Sequence, residues 1–266
     1  MKSKHFIWFS ILFLFYSCTS IGSPYSIQFQ IDGFPQQTIY IAQIEGDAYA
    51  IVDTLVSDKK GIFRTEFNDT QSIGMYAFVF PQLQQLKIPF IFNKEPEIFF
   101  SSEIFTLQEH VNVETSEENK AYYTFSRFYT QFTKDIAEIE EFYETYSRSG
   151  FLSDVEKEYQ KRIQEEKEFC NELLRTYKNT FASHIISASR KPYSDELLSG
   201  QSKYEYEKNH FFDNIDFSDT TLLHTDILTT KSIEYLTLCS QKRSREKPYE
   251  ALQDAVMVII NKALPY

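Results

Sequence analysis

Apolar and polar positions alternate through Tyr25, Ile27, Phe29 and Ile31, and the alternation returns at Phe63, Thr65 and Phe67. A period of two places each set on one face of a β-strand. Further apolar runs occupy residues 38–41, 50–55, 75–80, 89–92 and 98–100, with turn signals between them at Asp32-Gly33, Asp58 to Gly61 and Ser72-Ile73-Gly74. This predicts seven or eight short strands at the spacing of an antiparallel sandwich. The polar stretch PQLQQLK, residues 81–87, reads as a loop without phosphate-cradling glycines.

Near residue 115 the period changes. Tyr122, Phe125, Tyr129, Phe132, Ile136, Ile139, Tyr143 and Tyr146 recur at alternating spacings of four and three, the seam of one long helix. Ser116 is placed to cap it, and Glu117 and Glu118 complement the positive end of its dipole. Gly150 breaks the pattern. Ser153 with Glu156 forms a capping box for a second helix carrying Val155, Tyr159, Ile163, Phe169 or Cys170, Leu173 and Tyr177. Two long helices joined by residues 147–152 should pack as an antiparallel hairpin. In this reading Glu165, Glu166 and Glu168 form a solvated face. Further helices are expected at 180–190, ending before Pro192, at 202–212, at 231–240 and from Pro248 to 263. The predicted class is α+β: an N-terminal antiparallel β-sandwich over 27–114, followed by an α-helical domain over 115–266 with a long helical hairpin.

The first residues carry a different signal. Met1 to His5 form a basic cap, and Phe6 to Tyr16 are apolar apart from Ser10, about half the length that spans a bilayer. That is signal-peptide anatomy over 1–17. Ser17 before Cys18 resembles the bacterial lipobox, with bulky Phe15 and Tyr16 where the usual pattern is smaller. The resemblance implies cleavage before Cys18, lipidation of its thiol and a linker over 18–26. Two or three acyl chains on one residue hold a protein stably on a membrane. Thr19 after the cysteine, rather than Asp, implies the outer membrane, and the absence of an acidic cluster through Ser26 favours its periplasmic face.

A formal net charge of -11 argues against nucleic acid or an anionic membrane surface as a partner. The basic run QKRSREKP, residues 241–248, is too short to reverse this. Cys18, Cys170 and Cys239 are far apart, so no disulfide framework is expected. His210, Asp213, Asp216 and Asp219 are the nearest approach to a metal constellation, with His210, Asp213 and Asp216 as its candidate ligands. They lack the alternate spacing, central glycine and terminal glutamate of a calcium loop, and the structural reading is preferred: a helix end, a turn and a cap at Asp219. No nucleophile elbow, Walker loop or dinucleotide fingerprint is present, and no cofactor is implied.

Several segments are similar to a known family. QFQIDGFPQQTIYIA, Asp53-Thr54, DKKGIFRTEF and SIGMYAFVF resemble the N-terminal domain of unknown function of thioredoxin-like lipoproteins of Gram-negative bacteria. SEENKAYY and residues 209–228, NHFFDNIDFSDTTLLHTDIL, resemble the helical module that follows it. The resemblance implies the envelope address and this two-part architecture. In that family a thioredoxin domain with a Cys-x-x-Cys pair comes next; this chain has no such pair, so the redox activity attaches to no residue here. The expected function is a lipid-anchored, non-catalytic binding or scaffold module of the cell envelope. The alternative is the anchoring or accessory part of a thiol-disulfide interchange system whose thioredoxin domain is absent from this chain. Expected partners are the membrane through the anchor, and an envelope protein or separate thioredoxin-like protein.

Overall fold

The computed structural model describes residues 24–146, 152–241 and 248–265. Eight strands come first: β1 (Tyr25–Asp32), β2 (Thr38–Glu45), β3 (Ala48–Val56), β4 (Ile62–Phe67), β5 (Gly74–Phe80), β6 (Leu86–Phe92), β7 (Glu97–Glu103) and β8 (Asn112–Thr115). Helices α1 (Glu117–Thr145), α2 (Leu152–Thr176), α3 (Phe181–Ser189), α4 (Gly200–His210), α5 (Ile227–Gln241) and α6 (Pro248–Ala263) follow. The class is α+β, with the sandwich and the helices in the predicted order. Tyr25 and Ser26, expected in the linker, already belong to β1. Ser153, expected as a cap, lies within the first turn of α2, which starts at Leu152.

The strands form two four-stranded sheets, ordered β4-β1-β7-β8 and β3-β2-β5-β6. Among the described residues every pairing is antiparallel except β1 with β7, which is parallel. A parallel pair needs a long connection, and here the intervening chain supplies it by building the other sheet. Period two then sorts the side chains. Ile27, Phe29 and Ile31 of β1 face Tyr76, Phe78 and Phe80 of β5 and Phe90 and Phe92 of β6 in a core rich in aromatic rings. Phe78 stacks on Phe90 at 4.5 Å between centroids, and Phe67 meets Phe92 edge-on at 5.0 Å. Gly61 closes the DKKG turn at φ +78°, and a Cβ there would sit 2.2 Å from the Ile31 carbonyl oxygen, so the residue must be glycine.

In the second sheet strands β2, β5 and β6 carry buried residues on both faces, while the edge strand β3 is largely exposed. Ala42 and Ile44 of β2, Met75, Ala77 and Val79 of β5, and Ile91 of β6 point away from the sandwich core into one formed with Phe125, Leu173, Phe181, Ile185 and Tyr235 of the helices. This is why every residue of β5 is buried. The resulting order is sheet, sheet, helices, so the division near 115 follows the secondary structure while the packing runs across it.

A polar cluster fastens these layers. Ser116 caps α1 by accepting a hydrogen bond from the Asn119 amide at 3.0 Å, as its position predicted. The fully buried Asn119 side chain then pairs with the free edge of β6, its Oδ1 accepting from the Ile91 N–H and its Nδ2 donating to the Ile91 carbonyl, both at 2.8 Å. Tyr123, one turn on, donates to the Pro89 carbonyl at 2.8 Å. An edge strand is thus paired by side chains of a helix instead of being left open. Glu118 was expected to serve only the dipole of α1. It is buried and accepts from Phe181 N at 3.0 Å, Ala182 N at 2.7 Å and Asn93 Nδ2 at 2.7 Å, so it also caps α3. Glu95 accepts from the Ser116 hydroxyl and from Glu117 N, and burial holds its carboxyl above the usual value against those bonds.

Candidate functional site

The hairpin of α1 and α2 is antiparallel. Phe128 stacks on Phe169 with centroids 3.8 Å apart near its base, and Asp135 faces Arg162 at 3.7 Å further out. Residues 147–151, including the expected Gly150 break, lie outside the described residues. The seam is buried at Phe125, Phe132 and Ile136 and opens towards the far end, where Phe142 and Tyr146 are exposed. Burial therefore falls off along the hairpin with distance from the sheet.

Between the buried half of this hairpin and the rest of the helices, residues 190–199 cross as an extended segment. Pro192 disfavours helix before it, so α3 ends at Ser189. Three tyrosines pin the segment. Tyr129 Oη accepts from Lys191 N at 2.5 Å, Tyr159 donates to the Ser194 carbonyl at 3.1 Å, and Tyr206 donates to the Tyr193 carbonyl at 3.2 Å. At its start Arg190 is bound in both directions to Glu166, Nε to Oε1 at 2.7 Å and Nη2 to Oε2 at 3.0 Å. Glu166 is 5% exposed. The expectation that it belongs to a solvated face is therefore corrected: it projects between α2 and α3, and its pairing with Arg190 is what makes a buried carboxylate tolerable.

Held in this way, the segment forms one wall of a cleft of about 590 Å³ between α1, α4 and α5. Tyr129, Ile136, Tyr193 and Phe211 supply aromatic and aliphatic surface. Lys191 Nζ lies 2.9 Å from Glu207, and Lys231 Nζ lies 3.2 Å from Glu234 and 5.8 Å from the Phe211 ring centroid. Glu140 on the facing wall is held by Lys203 at 2.7 Å. Each ammonium in the cleft thus has a carboxylate beside it. This lining opposes a polyanion, which would have to displace the carboxylates, and offers donors, acceptors and apolar walls to a neutral polar chain. Sequence reasoning did not single out this cleft, because its residues come from four separated segments.

The cysteines take no part in it. Cys170 and Cys239 are both buried and are not joined in a disulfide. Burial, together with the Glu166 carboxylate that accepts from its Sγ at 3.3 Å, pushes the Cys170 thiol up to about 12. Thiolate is the reactive form, so in a Cys18→Ala chain neither thiol should react with a thiol reagent near about pH 8 until denaturant is added. Rapid labelling of the native protein would contradict this burial. Cys18 lies outside the described residues, as do residues 242–247 of the basic run.

Of the residues named as candidate metal ligands, two are bonded to each other and the third is engaged elsewhere. His210 bonds Asp213 through Nδ1 at 2.7 Å and stacks on Tyr206 at the end of α4. Asp216 instead accepts from Ser218 N at 2.9 Å in a local turn. Asp219 caps the short 3-10 turn Thr220–His224 by accepting from Thr221 N at 3.0 Å, and its other oxygen meets His184 at 2.6 Å. Among the described residues no group of three or more His, Cys, Asp or Glu side chains is placed to hold a metal ion. No helix among them is long and apolar enough to cross a membrane.

No protein-family model matches the chain, and no curated protein matches it. Among solved structures the chain is similar to one titled as the crystal structure of (S)-allantoin synthase, with 9% identity and a TM-score of 0.26. The similarity covers 36% of this chain and 45% of that one, less than half the length of the other protein. A superposition this loose carries no argument about function.

Proposed function

We propose that this chain is a lipid-anchored lipoprotein of the cell envelope that acts as a non-catalytic binding module, with the cleft between α1, α4 and α5 as its binding surface. The observation that carries the reading is the lining of that cleft: rigid aromatic and aliphatic walls, with two lysines each offset by a glutamate. Such a lining suits an extended peptide segment of another envelope protein, whose main chain carries donors and acceptors in alternation and no net charge. The walls are held by half-buried tyrosine hydrogen bonds and by the Glu166–Arg190 pair, so little ordering is lost on binding. The signal-peptide pattern and Cys18 support the address.

The test is photo-crosslinking in cells from a benzoylphenylalanine placed at Thr133, on the cleft wall, and from one placed at the exposed Glu109. A discrete adduct from Thr133, absent from Glu109 and lost on adding Lys231→Glu, is the expected result. Identical adducts from both positions, or none from Thr133, would remove the cleft from the account. A thioredoxin-like protein as the adduct would favour the accessory role in thiol-disulfide interchange over a general scaffold.

A further inference from the structure

The last helix is apolar on two sides. Ala251 and Ala255 are buried, and Val258 and Ile259 pack against the helical core beside α5. The opposite side carries Tyr249, Leu252, Val256, Met257 and Ile260, all exposed, with Tyr249 81% exposed and Leu264 just beyond the helix at 72%. Along the line of Leu252, Val256, Ile260 and Leu264 the only polar side chains are Gln253 and the Tyr249 phenol, while Glu250 stands beside Met257 at the edge of this side. An ordinary surface helix alternates such a face with charge. In a chain of net charge -11, a line of this length without a carboxylate or an ammonium marks a surface that is covered.

We propose that this face is covered by the same face of a second copy of the chain, the two α6 helices crossing antiparallel about a two-fold axis. Leu252, Val256, Ile260 and Leu264 stand four residues apart and form one ridge. Ridges of this spacing interdigitate when two helices cross. Reversed end for end, this ridge matches itself, with Leu252 opposite Leu264 and Val256 opposite Ile260, which is the self-complementarity an isologous contact requires. The exposed side chains leave on the order of 600 Å² per copy, so a pair removes on the order of 1,200 Å² from water, at the lower end of what specific complexes bury. Two acidic copies meet there without burying a carboxylate. The proposal is independent of the cleft and of the anchor.

The test is the mass of the full-length chain in mild detergent by light scattering at micromolar concentration, with circular dichroism as the check on folding. A dimer is expected, and Val256→Glu, which places two carboxylates at the centre of the contact, should weaken it about 100-fold or more with an unchanged melting curve. A second measurement does not depend on that variant folding. In membranes from cells making one copy with Val256→Cys and another with Ile260→Cys, mild oxidation should give a disulfide between the two copies, and cells making copies with Glu109→Cys should give none. A monomeric wild type, a dimer that survives Val256→Glu, or no cross-link between the two α6 variants would overturn the proposal. A monomer that binds lipid vesicles, and loses that binding in Val256→Glu, would overturn it in favour of a lipid surface.

Discussion

Replacing Glu166 with alanine is expected to destabilise the protein by about 3–5 kcal/mol, the loss typical when one partner of a buried ion pair is removed. The reason is what remains. The Arg190 guanidinium gives two hydrogen bonds to Glu166, at 2.7 and 3.0 Å, and with alanine in place it keeps its charge and its low exposure but loses both acceptors. The Cys170 thiol loses its acceptor too. Because Arg190 begins the segment that carries Lys191 and Tyr193, the cleft should loosen along with the fold. Glu166→Gln keeps the shape and one acceptor and should cost less. Glu166→Met combined with Arg190→Met should recover much of the loss, since no unpaired charge is left. Denaturant unfolding of the four proteins measures this; a Glu166→Ala loss below about 1 kcal/mol would place the pair in solvent and refute the packing described.

Asn119→Ala is the second large effect, expected at about 2–4 kcal/mol, because it strands the buried N–H and carbonyl of Ile91 together. The next residue supplies the control. Lys120 has a salt bridge to Glu117 at 3.5 Å on the outside of the same turn, and Lys120→Ala should change stability by less than about 0.5 kcal/mol. Hydrogen exchange locates the damage: the Ile91 amide and its neighbours on β6 should lose protection in Asn119→Ala alone. Equal stabilities for the two variants would mean that the helices are not fastened to the sheet through this residue.

The sandwich was legible in the sequence because β1 and β4 alternate between an interior of aromatic rings and a second face, while β5, buried on both faces, stood out as an unbroken apolar run. The parallel pairing of β1 with β7 was not, since register between distant strands leaves no local trace. The helical seam was legible for the same reason as the strands, and its burial at Phe125, Phe132 and Ile136 follows the four-and-three spacing. Glu166 was misjudged and the second role of Glu118, as a cap of α3, was missed, although the signal was present. Glu166 stands three residues after Ile163 and four before Cys170, in phase with the seam of α2, and Glu118 stands four before Tyr122, in phase with that of α1. A carboxylate in a seam position needs a partner that sequence does not show, because the amides of Phe181 and Ala182 and the side chain of Arg190 come from the two ends of α3, distant in sequence. His210, Asp213 and Asp216 illustrate the converse. Spacing drew them together, and local hydrogen bonds keep Asp216 with Ser218 and away from His210 and Asp213.

The central claim is that this fold works while anchored by Cys18, and intact-mass analysis of the protein from the membrane fraction, beside Cys18→Ala, tests it most directly. The account predicts a mature N-terminus at Cys18, with residues 1–17 removed and the mass of two or three acyl chains added, and the variant released from the membrane. A soluble, unacylated product from the unaltered chain would contradict it.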